Sequence, residues 1–113
     1  MKDNKRDVED FLKDFKLFMD IKGITFEQKE KLEECMGALT LSLDNVKDII
    51  RRLSYSNYVK GPEQDRNYPE HFIFIFYDDV NNTQIYIKLS DSFDGRAKCI
   101  SFHVAKFKIK KKR

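Results

Sequence analysis

Tyr86, Lys88, Ser101 and His103 stand in two short alternating stretches, QIYIKL (residues 84–89) and KCISFHVAKF (residues 98–107). Their types can move protons or hold phosphate: imidazole titrates near neutrality, a phenol keeps or gives a proton, and an ammonium neutralises anionic charge. Together these groups suit RNA cleavage without a metal. One takes the proton from a ribose 2′ hydroxyl, a cation stabilises the charge gathered at phosphorus, and another protonates the departing 5′ oxygen. The plainer reading of the same alternation is the solvent face of an antiparallel sheet, where every second residue is polar.

The site exists only if the two stretches pair across the loop between them. Ile85, Ile87 and Leu89 share one face of the first, opposite Gln84, Tyr86 and Lys88; Ile100, Phe102 and Val104 share one face of the second, opposite Cys99, Ser101 and His103. The apolar faces coincide only when paired residue numbers sum to an odd number, because a one-residue slip turns every side chain over. A sum near 187 sets Tyr86 opposite Ser101, Lys88 opposite Cys99 and Gln84 opposite His103. Neighbours of this kind lie roughly 5 to 8 Å apart, within reach of one phosphate. Lys60 joins the patch if Tyr58-Val59-Lys60 is a short strand running into a turn at Gly61-Pro62. Arg66, in the loop Gly61–Glu70, either holds phosphate bidentately or pairs with Asp65 or Glu63. Lys106 extends the basic end, and His71, at the head of an apolar strand, reads as structural or solvated.

The positioning elements follow from periodicity. Val8, Phe11, Leu12, Phe15, Phe18 and Met19 recur at helical spacing, with Gly23 as the stop. Thr25-Phe26-Glu27-Gln28 has the form of a capping box for a second helix burying Leu32, Cys35, Met36 and Leu39. Ser42 suits the N-cap of a third helix that buries Leu43, Val46, Ile49, Ile50 and Leu53 and turns Lys47, Arg51 and Arg52 outward. From Tyr55 the texture becomes aromatic and β-branched. HFIFIFY (residues 71–77) is apolar on both faces, as an interior strand requires, and ends at Asp78-Asp79; Asn81-Asn82 turns the chain into residues 83–89. The expected fold is α+β: three N-terminal helices on one face of a mostly antiparallel sheet of about four strands.

One domain is expected over residues 1–113, since the length suits a single core and not two. No run of about 18 apolar residues and no hydrophobic leader appears, which predicts a soluble, cytoplasmic protein with no membrane partner. Cys35 and Cys99 lack metal-ligand spacing and read as reduced packing residues, so no cofactor or metal is expected. Eight of the 22 basic residues fall within residues 96–113, where no acidic residue lies. The other 14 face all 19 acidic groups. Such segregation is the footprint of a polyanion binder, or, for residues 107–113, of a basic frayed tail. The third helix also admits a DNA-binding reading, although its apolar positions leave little recognition surface. No Gly-rich phosphate loop, HExxH or GxSxG motif occurs, which removes nucleotide hydrolases, zincins and α/β-hydrolases.

The runs LSYSNYVKGP, QIYIKLSD and CISFHVAKF resemble the MqsR-type toxins of bacterial type II toxin-antitoxin systems, within the wider RelE-like fold group. The resemblance spans about residues 8 to 107. It implies a metal-independent mRNA endoribonuclease that arrests growth, with a cognate, DNA-binding antitoxin as partner. Carried over by position, it implies that Lys60 and Tyr86 matter for activity; joined to the reading of the residues themselves, the expected catalytic groups are Lys60, Tyr86 and His103, with Gln84, Lys88, Ser101, Arg66 and Lys106 expected to bind substrate. His103 stands where some members have lysine, the glutamine of the preceding strand has no counterpart in HFIFIFY, and Asn57 replaces a common acidic residue. The alternative is a non-catalytic relative that binds RNA or serves as its antitoxin's co-repressor. Whether Tyr86 or His103 is the base stays open.

Overall fold

The computed structural model describes residues 4–106. Along the chain lie α1 (Lys5–Lys22), β1 (Ile24–Phe26), α2 (Lys29–Leu39), α3 (Leu43–Arg52), a short helical turn (Tyr55–Asn57), β2 (Tyr58–Gln64), β3 (Phe72–Val80), β4 (Thr83–Ser90) and β5 (Ala97–Val104). The strands form one five-stranded mixed sheet in the order β1-β5-β4-β3-β2. The fold is therefore α+β with three helices, but the sheet has one strand more than the sequence suggests. The basic tail lies outside the described residues.

The extra strand is β1, which pairs parallel with β5 through Ile24 and Ala97, Thr25 and Lys98, and Phe26 and Cys99. The capping box expected at Thr25 to Gln28 is thus corrected. Those amides are used in the sheet, with Glu27 N donating to Cys99 O at 3.0 Å, and α2 starts at Lys29 with Gln28 as an N-cap whose side chain makes no cap bond. Gly23 ends α1 with φ of 89°, a left-handed conformation that favours glycine, and its carbonyl accepts from Ala97 N at 3.0 Å.

Ser42 does cap α3: its hydroxyl accepts from Asn45 N at 3.1 Å, while Asn45 Oδ1 accepts from Ser42 N at 2.9 Å. Ser42→Ala removes one partner of this reciprocal pair and is expected to lower stability by about 1 kcal/mol. A denaturant midpoint equal to that of the parent chain would show that the cap stabilises nothing. Leu43, expected in the core, is 44% exposed, because the buried stripe of α3 starts one turn later at Val46.

Val8, Phe11, Leu12 and Phe15 of α1 share one core with Val46, Ile49 and Ile50 of α3 and with Phe74, Phe76, Ile85, Ile87, Leu89 and Phe102 of the sheet. Phe11 stacks on Phe74 with ring centroids 4.0 Å apart. Helix α2 adds Leu32 and Cys35 and packs along β5. Both cysteines are free and buried, and burial pushes both thiols up, away from the reactive thiolate.

β3 is an interior strand between β2 and β4, as its two apolar faces require. It continues to Val80, past the expected end at Asp78-Asp79. Asn81 and Asn82 then turn with φ of 52° and 63°, the left-handed pair that a two-residue hairpin needs. β2 likewise does not stop at Lys60 but runs through Gly61 and Pro62 to Gln64, with two irregularities against β3. At Gly61, φ is 122° and an added Cβ would lie 2.9 Å from Ile73 O, so only glycine lets the strand bend there. Among the described residues no helix is long and apolar enough to cross a membrane.

Candidate functional site

On the sheet face away from the helix-lined core, β3 presents Ile73, Ile75 and Tyr77, β4 presents Gln84, Tyr86 and Lys88, and β5 presents Ser101 and His103. Ile75 is fully buried although it stands outside that core. Lys60 and Lys88 pair with it from either side, so their methylene stems can lie over it while their ammonium groups stay in water.

The expected register is corrected by two residues. Tyr86 pairs with His103 and Lys88 with Ser101, so the sum is 189, not 187. Gln84 does not face His103; its carbonyl accepts from Ala105 N at 2.9 Å, one step further out. Parity is kept, so the face assignments of Tyr86, Lys88, Ser101 and His103 stand. Cys99 is the exception: it pairs with Leu89 and lies in the core. Between Lys88 and Leu89 the register shifts, leaving Ile100 as the extra residue of a bulge. Ala97 and Cys99 before the bulge, and Phe102 after it, thereby all point into the core.

The shift brings the proposed proton-transfer groups closer together. The Tyr86 and His103 rings meet edge to face, with centroids 5.4 Å apart and planes at 71°. Lys88 Nζ sits 5.6 Å from the centre of the Tyr86 ring. Lys60 Nζ lies 3.4 Å from Glu63 Oε2, and both charges are felt at Tyr86. Burial raises the Tyr86 pKa, Lys60 opposes the rise and Glu63 adds to it, so the phenol keeps its proton at neutral pH.

For His103 the shift runs the other way. Burial lowers its pKa first, and Lys31, Lys106 and Lys88 lower it further by like-charge repulsion. The imidazole is neutral at pH 7. Ser101, itself buried, places Oγ 3.0 Å from His103 Nδ1, and the same hydroxyl donates to Gln28 Oε1 at 3.5 Å. In the tautomer whose Nδ1–H donates to Ser101 Oγ, the lone pair lies on His103 Nε2, where it can act as a general base.

Lys106 is exposed beyond β5 and lines a groove with His103. Arg66 is not brought in: it stands exposed after buried Asp65, whose carboxylate accepts from Asn67 N and Tyr68 N, and has no ion pair among the described residues. His71 is structural, half-buried, with Nδ1 3.6 Å from Asp91 Oδ1. On the exposed side of α3, Arg51 pairs with Asp20 and Asp48 at 3.0 and 2.8 Å. Sequence reading missed Gln28 and Lys31. Their signal was β1, since a strand parallel to β5 obliges the helix that follows it to run beside His103. Among the described residues no three His, Cys, Asp or Glu side chains gather as a metal-binding set.

Comparison with family models, with curated proteins and with solved structures returns no match for this chain.

Proposed function

We propose that this chain is a metal-independent mRNA endoribonuclease, the toxin of a type II toxin-antitoxin pair, with a RelE-like fold of the MqsR type and a cytoplasmic place of action. The observation that carries this reading is the pairing of a neutral imidazole, His103, with a protonated phenol, Tyr86, on adjacent strands among lysines.

In the reaction, His103 Nε2 takes the proton of the ribose 2′ hydroxyl. The 2′ oxygen bonds to phosphorus, and the bond to the 5′ oxygen breaks as Tyr86 donates its proton to it. Lys88 and Lys60 stabilise the added charge on the phosphoryl oxygens, Lys60 exchanging Glu63 for substrate. The products are a 2′,3′-cyclic phosphate and a 5′ hydroxyl, and the proton on His103 returns to Tyr86 through solvent.

One observation favours a non-catalytic RNA-binding or antitoxin-binding role instead: Lys60 already has a carboxylate partner in the free chain. Expression in a bacterial host without the neighbouring gene separates the two readings. Growth arrest with loss of mRNA, abolished by Tyr86→Phe, is the expected result. Normal growth with folded protein in the cell would favour the binder.

A further inference from the structure

We propose that the groove between α2 and the end of β5 holds the backbone phosphate next to the one that is cut, with Lys31 and Lys106 as its cations. The inference rests on reading the sheet face as the place where RNA is cleaved, and it names how that site holds the rest of the strand.

The groove encloses about 230 Å³ and is lined by Lys31, Glu34, Cys35 and Ala38 of α2 and by His103, Val104 and Lys106. That is below the roughly 300 Å³ at which pockets for drug-sized molecules begin. It has room for one phosphate group. Lys31, Glu34, Cys35 and Ala38 follow the i, i+3, i+4, i+7 spacing of one helix stripe, so β1 and α2 together aim this stripe at β5. Ala38 keeps the groove open because it projects only a methyl group.

Its charge is available. Among the described residues Lys31 and Lys106 have no carboxylate within ion-pair distance, whereas Lys98 is held by Glu27 at 3.7 Å and Arg51 by Asp20 at 3.0 Å. Glu34 is the carboxylate in the lining, set against two ammonium groups. The fields of Lys31 and Lys106 reach His103, which borders both the groove and the Tyr86 ring. A strand crossing from Lys88 and Tyr86 past His103 therefore meets this basic groove next. Like-charge crowding of this kind is relieved when a phosphate arrives and displaces bound counterions.

The test is the affinity of the full chain for a short single-stranded oligoribonucleotide carrying 2′-O-methyl groups throughout, which cannot be cut, read by fluorescence anisotropy over a salt series. Lys31→Glu and Lys106→Glu are each expected to weaken binding about tenfold and to lower the salt slope by about 0.7. Lys13→Glu, on α1 behind the sheet, makes the same charge change and is expected to have little effect. Ala38→Leu, at an exposed helical position, fills the groove without changing charge and is expected to weaken binding with the slope reduced. If Lys31→Glu and Lys106→Glu bind as the parent does, or no more weakly than Lys13→Glu, the groove is not a phosphate site. Cleavage is read separately. Lost binding in a chain that cuts no RNA keeps the groove and overturns the nuclease; a cutting chain with unchanged groove variants does the reverse.

Discussion

Replacing Tyr86 by phenylalanine is expected to slow RNA cleavage by about 10² to 10⁴-fold, the range of a lost acid or base. The change removes one oxygen and leaves the ring that packs against His103, so the fold should stay intact. His103→Ala is expected to cost a similar factor, and the pH dependence of kcat/KM distinguishes the two roles. A base works when deprotonated, and His103 is pushed below the usual imidazole value of about 6.5 by burial and by Lys31, Lys106 and Lys88. The acid limb of the profile must therefore fall below that value, with activity level through neutrality. The phenol must stay protonated, and burial holds it that way past its usual value of about 10, so the alkaline limb lies beyond that. Activity that rises as the pH drops through 6 would make His103 an acid or a cation and reverse the assignment.

The largest effect on stability is expected at Phe76. It is fully buried at the centre of β3, paired with Tyr58 of β2 and Ile87 of β4, with its ring 5.6 Å from Tyr58 and 6.4 Å from Phe11. Phe76→Ala leaves a cavity where helix and sheet meet, and such substitutions cost about 3 to 5 kcal/mol. Against a typical total of about 5 to 15 kcal/mol, that loss approaches unfolding. The measurement is the denaturant midpoint of the variant, and a shift equivalent to less than about 1 kcal/mol would mean that the core does not close around this ring. Phe76→Ala and Tyr86→Phe thus fail differently: one loses structure and activity together, the other loses activity alone.

Much of this arrangement is legible in the residues because local pattern and tertiary need agree. HFIFIFY is apolar on both faces, and it is the strand with neighbours on both sides. Asn81-Asn82 is a turn because asparagine tolerates positive φ, and Ser42 is a cap because its hydroxyl reaches Asn45. The candidate site followed from parity: an odd register sum forces Tyr86, Lys88, Ser101 and His103 to one face whichever odd sum is realised. What parity cannot supply is which odd sum. A bulge at Ile100 absorbs one residue and changes phase, so the alternation of KCISFHV, read as one uninterrupted pattern, put Cys99 on the wrong face. β1 was hidden for a different reason. Three residues carry too little periodicity to mark a strand, and a threonine followed by a glutamine also fits a helix cap. Gln28 and Lys31 were hidden with it, since their nearness to His103 depends on parallel pairing between segments some 70 residues apart.

The central claim is that the Tyr86–His103 face cuts RNA through its own 2′ hydroxyl. It is tested by incubating the purified chain, without its antitoxin and in excess EDTA, with a single-stranded RNA and with the same sequence bearing 2′-O-methyl groups, then identifying the product ends. The account predicts cleavage of the unmodified strand alone, with 2′,3′-cyclic phosphate and 5′ hydroxyl ends, and loss of that cleavage in Tyr86→Phe and His103→Ala. Folded protein that leaves the RNA whole, or cuts it equally well after both substitutions, would contradict it.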